Sequence, residues 1–204
     1  MNNGQQFQEL HERASECRAC GDMGCRAVLG PANGRASARV LFVGEAPGRL
    51  GAGITGVPFS GDVAGARFER LLGAARLNRH DVFITNAVLC LPLDAKGRNR
   101  TPRTSEVRNC SALLSETIAA ISPELVVAMG RVALDAVRRI EPVALELKDA
   151  GRDPLRWNGR ELAVVYHPGA RSQVFRSWDQ QTEDWVHLGK WIVEAGLNAG
   201  TLRA

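Results

Sequence analysis

Long apolar runs are missing from this chain. No stretch approaches the ~18 residues of a membrane-spanning helix, which argues against a helical membrane protein. The N-terminus, Met1-Asn-Asn-Gly-Gln-Gln6, has neither the basic segment nor the apolar core of a secretion signal. A cytoplasmic location with reduced thiols is therefore expected. Internal repeats and low-complexity segments are also absent, so a repeat array is not expected. Lysine is scarce: Lys96, Lys148 and Lys190 are the only lysines among 26 basic residues, which face 22 acids and leave a net charge of +4. The pI is near 9.0. A basic side built of arginine suits phosphate, stacking and groove contacts better than one built of lysine, and makes nucleic acid a candidate partner.

What is present is an ordinary globular composition, 45% hydrophobic and 24% charged over 204 residues. That length suits one domain with a sizeable core, expected as a monomer over 1–204, with 1–25 as an N-terminal helix and first cysteine pair and 196–204 as a loose tail. Apolar β-branched runs at Val40–Val43, Asp81–Leu89, Pro123–Gly130 and Glu161–Pro168 read as strands. Helical spacing covers Gln5–Glu16, the stretch from Asp62 to about Arg76, a segment after Pro102 capped by Thr104 or Ser105, about Arg131–Arg139, and Trp178–Ala195. Arg152–Arg160 reads as a loop or short hairpin. Alternating strands and helices imply right-handed crossovers. The fold class is α/β, a three-layer αβα arrangement around a central, mainly parallel four-stranded sheet.

The chain is organised around Val40-Leu-Phe-Val-Gly-Glu-Ala-Pro-Gly48 and its continuation Gly56-Val-Pro-Phe-Ser-Gly-Asp62. A buried strand stops at Gly44 and is followed by a carboxylate, Glu45. A Gly-rich loop then leads to an aromatic, Phe59, and a second acid, Asp62, at a helix start. In parallel sheets functional groups gather at the carboxyl ends of strands. Glu45, Asn86, Gly130 and His167 all stand at such ends, so an acid, an amide and an imidazole are expected to share a cleft with Phe59 and Asp62. Gly51-Ala-Gly53-Ile-Thr-Gly56 satisfies the spacing of a dinucleotide fingerprint but does not directly follow a strand, and Val57-Pro58 stands where the helix should begin.

Five cysteines form the other signal. Cys17-Arg-Ala-Cys20 ends the first helix, and Cys90 and Cys110 bracket a polar loop with two prolines, Leu91 to Pro102. With reduced thiols, such a set reads as metal ligands before disulfides, and four thiolates suit zinc or an iron–sulfur cluster. Cys25, in an irregular Gly-rich turn, is left out of the ligand set.

Gly44-Glu-Ala-Pro-Gly48, Pro58-Phe59, Ile84-Thr-Asn86 and His167-Pro168 resemble the ordered motifs of the uracil-DNA glycosylase superfamily. The four cysteines, with Asn99-Arg-Thr-Pro102 between the last two, are similar to its iron–sulfur branches, families 4 and 5. Glu45 and Asn86 match family 4. The loop Gly51–Gly56 with Phe59-Ser-Gly-Asp62 is closer to family 5, and Gly169 follows His167-Pro168 where a serine is usual. The resemblance implies a repair enzyme that flips uracil out of single- or double-stranded DNA and hydrolyses its N-glycosidic bond. Catalysis would fall to Glu45, with Asp62 in support and His167 on the leaving base. Uracil would be bound by Gly44, Glu45, Ala46, Phe59, Asn86 and His167. Arg98, Arg100, Arg103, Gly169, Arg171 and Ser172 would meet DNA, and Cys17, Cys20, Cys90 and Cys110 would hold a 4Fe–4S cluster. A cluster-bearing protein that binds damage without cutting, and a glycosylase accepting other deaminated bases, stay open as alternatives.

Overall fold

In a computed structural model, which describes residues 3–21 and 23–197, the apolar runs become strands β1 (Val40–Gly44), β2 (Val82–Asn86) and β3 (Leu125–Met129), buried at every position. Two more, β4 (Leu155–Trp157) and β5 (Arg160–Val165), complete a five-stranded sheet of order β2-β1-β3-β5-β4. The first four in that order run parallel, and β4 pairs antiparallel with β5. The fifth strand lies in the segment read from sequence as a loop or short hairpin, so the expected four strands gain an antiparallel edge. Its signal was Asn158-Gly159, whose left-handed φ values of 46° and 72° suit a tight hairpin turn. Trp157 then becomes buried, with its indole N–H donating to the Glu141 carbonyl at 2.8 Å.

Six helices are described: α1 (Asn3–Glu16), α2 (Ala52–Thr55), α3 (Val63–Ala74), α4 (Thr104–Ile121), α5 (Arg131–Ile140) and α6 (Trp178–Glu194). Alternate strand side chains point to opposite faces, and two cores result. Leu41, Val43 and Phe83 meet Phe7 of α1, Leu114 of α4 and Leu134 of α5. Phe42 and Ile84 meet Phe68 of α3 and Trp185 of α6, with Phe42 stacked on Trp185 at 5.3 Å between ring centroids.

Some local expectations differ. The Gly-rich loop contains the single turn α2, ended by Gly56 at φ 67°. Helix α4 is not capped by Thr104 or Ser105; its cap position is Arg103, whose N–H donates to the Glu106 carboxylate at 2.7 Å. Of the expected loose tail, residues 198–204 lie outside the described residues, while Leu197 is buried and its N–H donates to the Ile192 carbonyl at 2.9 Å. Among the described residues no helix is long and apolar enough to cross a membrane.

Candidate active site

Strand β1 lies between β2 and β3, so the chain winds away from it in both directions and leaves a crevice at its carboxyl end. Gly44 pairs with Asn86 across that end. The pairing continues beyond the strands: Ala87 N–H donates to the Gly44 carbonyl at 2.8 Å and Val88 N–H to the Glu45 carbonyl at 3.1 Å. Glu45 and Asn86 therefore stand on backbone held by the sheet. A Cβ on Gly44 would strike the Asn86 amide oxygen and come within 2.8 Å of the Phe59 ring. Glycine at 44 lets those two groups converge.

Phe59 has a left-handed backbone, φ 49°, costly for an aromatic residue. One side chain far from it in sequence holds that turn. The Arg79 guanidinium donates to the Pro58 carbonyl at 2.9 Å and the Phe59 carbonyl at 2.8 Å, while its Nε pairs with Glu69 at 2.5 Å. So held, Phe59 stacks on Phe68 at 4.7 Å and lies 5.6 Å from the His167 ring.

His167 follows β5. Gly130, at φ 89°, admits it closely, since a Cβ there would sit 3.1 Å from the His167 Cβ. The Gly169 N–H donates to His167 Nδ1 at 2.9 Å, so a neutral imidazole carries its proton on Nε2. Burial pushes the His167 pKa down to about 4 against the opposing influence of Asp62, which keeps the ring neutral near pH 7. Burial pushes the Glu45 carboxyl up, and Arg171 partly offsets this. Asp62 caps α3, accepting from the Gly65 N–H at 2.8 Å through Oδ1. Its Oδ2 is lodged where a Cβ on Gly51 would come within 2.5 Å.

Glu45, Phe59, Asp62, Asn86 and His167 line one cavity of about 400 Å³. Ala46 is in its wall and Gly44 directly behind it. Asn86 is only 2% exposed, and its side-chain oxygen has no hydrogen-bond partner among the described residues. Such an orphan costs ~1–3 kcal/mol when buried, which points to a ligand donor.

The residues expected to meet DNA divide. Arg100, Gly169, Arg171 and Ser172 line the same cavity. Arg98 and Arg103 are exposed, Arg98 pairing with Asp94 at 2.9 Å. Arg100, expected to reach phosphate, is also tied into the protein. It forks onto the buried Glu106 at 2.6 and 2.8 Å and donates to the Leu93 carbonyl at 2.9 Å. Its partner is a helix-start acid, whose position in space the order of residues does not reveal.

Several lining residues lay outside the sequence reading. Pro92, Asn99 and Thr101, from the loop bracketed by Cys90 and Cys110, form part of the cavity wall. Asn99 Oδ1 accepts the Arg49 N–H at 2.9 Å, pinning that loop to the Gly-rich one. Val174 and Phe175, just past the segment after His167, are 82% and 77% exposed. Two adjacent apolar residues in an otherwise polar loop were the available signal.

A second cavity of about 320 Å³ is walled by Cys17, Cys20, Cys25, Cys90 and Cys110. All five are free. Burial, together with the other four sulfurs, pushes the Cys90 thiol up to about 12. The Asn109 amide donates to Cys20 Sγ at 3.4 Å and to the Ala19 carbonyl at 3.0 Å. Among the described residues no three histidine, cysteine or carboxylate side chains close around a single-ion position. The sulfurs surround a larger space instead, a donor set that fits a thiolate-held cluster. Cys25 shares this wall despite the irregular turn on which it was set aside.

A sequence model of the uracil DNA glycosylase superfamily matches residues 31–188. The chain belongs to this superfamily. It is 32% identical over 159 residues to a type-4 uracil-DNA glycosylase of Archaeoglobus fulgidus, covering 76% of this chain and 77% of the relative. It is also 38% identical over 151 residues to a type-5 uracil-DNA glycosylase of Pyrobaculum aerophilum, covering 68% and 64%. A type-5 relative from Thermus thermophilus is 34% identical over 154 residues, 67% of each chain. Likeness to both types agrees with the mixed character of residues 44–62.

Proposed function

We propose that the protein excises uracil from DNA by hydrolysing the bond between uracil N1 and deoxyribose C1′, leaving an abasic site. The observation that carries this reading is the buried, unpartnered Asn86 oxygen in the cavity wall. Uracil N3–H would donate to it, while the amide NH₂ donates to uracil O4. Cytosine offers the reversed pattern and would leave buried groups unpaired, a strong source of discrimination. Phe59 supplies a stacking face, worth about 1–3 kcal/mol per base. Flipping costs a few kcal/mol, and Val174 and Phe175, exposed just past the cavity-lining Ser172 in sequence, are suited to fill the space the base vacates.

As the glycosidic bond breaks, its electron pair leaves with uracil and positive charge grows on the sugar. The neutral His167 donates from Nε2 to uracil O2, where the negative charge collects. Ionised Glu45 stabilises the sugar cation and orients the water that attacks C1′. That water's oxygen becomes the C1′ hydroxyl, and its proton is released to the carboxylate or solvent. Asp62, already committed as a helix cap, is assigned the supporting part. Cys17, Cys20, Cys90 and Cys110 would hold a 4Fe–4S cluster, which when bound supplies iron–thiolate bonds tying the N-terminal arm to both ends of the 90–110 segment. That segment carries Asn99 and Thr101 into the wall of the base cavity.

A duplex oligonucleotide with one uracil tests the reading. Incubation followed by alkali should give one cut at the uracil. Retention of the duplex in a gel shift with no alkali-labile site would favour a binding protein instead.

A further inference from the structure

Cys25 is the one thiol in the cluster cavity to which the proposed ligand set gives no role. Its place is set by backbone pairing. Met23 and Pro92 form an antiparallel bridge, and Gly24 N–H donates to the Leu91 carbonyl at 2.8 Å. Gly24 thus stands across from Leu91, and Cys25 and Cys90 are the residues next to that pair. The Leu91 backbone hydrogen-bonds the Cys25 thiol. Cys25 is also among the thiols that act on Cys90. Two sulfurs, one from each segment, therefore line the cavity next to the Gly24–Leu91 bond.

We propose that Cys25 is a second ligand for the cluster corner served by Cys90, able to take over that iron when Cys90 does not bind it. A thiolate ligand needs only reach and deprotonation, and the Gly24 bond to Leu91 sets Cys25 beside the segment that carries Cys90. The loop carrying Asn99 into the base cavity would stay tethered, because Met23–Val28 is joined to it by the Gly24 bond to Leu91 and the Val28 N–H bond to the Leu89 carbonyl, both 2.8 Å. The inference rests on the cluster proposed above.

Iron and sulfide content, visible absorbance and thiol alkylation of anaerobically purified full-length protein test it without reference to activity. Cys25→Ser should keep the wild-type iron content, and Cys25 should be the one cysteine alkylated in cluster-loaded wild type. Cys90→Ser should retain at least half the wild-type iron, with Cys25 now protected from alkylation. Cys90→Ser/Cys25→Ser should be colourless, as should Cys110→Ser. Cys90→Ala repeats the test in case serine disturbs the wall. Brown wild type with colourless Cys90→Ser and Cys90→Ala would overturn the role of Cys25 while leaving the cluster intact. Colourless wild type would overturn the cluster, and this inference with it.

Discussion

Replacing His167 by glutamine should make the protein less sensitive to acid, and the size of the effect follows from the site. The folded imidazole titrates at about 4 because burial outweighs the nearby Asp62 carboxylate, whereas an unfolded histidine titrates near 6.5. Between those values the unfolded chain binds a proton that the folded chain does not. Stability must then fall as pH falls, beginning near 6.5 and levelling below about 4. Linkage puts the loss at about 2 kcal/mol by pH 5 and about 3 kcal/mol below the folded pKa. Glutamine does not titrate, and other groups titrate alike in both proteins. Urea unfolding at pH 7.5 and pH 5 should therefore show the wild type losing about 2 kcal/mol more than His167→Gln. Parallel losses would mean that His167 charges normally, and a neutral Nε2 donor would no longer describe the site. A smaller loss in the wild type would mean that Asp62 outweighs burial.

Glu45→Gln should slow single-turnover excision by about 10²-fold or more and Asp62→Asn by less, with DNA binding largely kept in both. Near-normal cutting by the first and none by the second would reverse the two roles. Because burial raises the Glu45 pKa, the wild-type chemical step should fall with decreasing pH at a higher midpoint than for an ordinary carboxylate. A pH-rate profile from 4 to 8 checks this. Replacing Arg98, Arg103 or Arg171 singly by alanine should each reduce the salt slope of DNA binding by about one unit. Arg100→Ala should leave the slope unchanged and cost about 3 kcal/mol of stability, since it strands the buried Glu106. Arg79→Ala should weaken stability by about 2–4 kcal/mol, through two lost charge-assisted bonds to carbonyls. Arg79→Lys should recover only part of that, since an ammonium cannot fork onto both.

Sequence alone was enough to identify three fully buried strands and the alternation with helices, because a strand covered on both faces must be apolar throughout. It also placed Glu45, Asn86 and His167 at strand ends, since parallel strands leave no other edge for them. The Asn158-Gly159 hairpin was legible as a turn, but not as an edge strand, because three residues with one buried side carry little periodicity. Other facts belong to the tertiary structure alone. Nothing local distinguishes Arg79, which grips the Phe59 turn 20 residues away, from the exposed arginines. Arg100 reads as a phosphate contact until folding brings the Glu106 carboxylate to it. Cys25 sits in an irregular turn by sequence, and only the pairing of Met23 with Pro92 brings it beside the segment that carries Cys90. Composition and periodicity report how a residue meets its own strand or helix. Which distant partner a charged or thiol side chain finds depends on how the elements pack, and that partner decides what the side chain does.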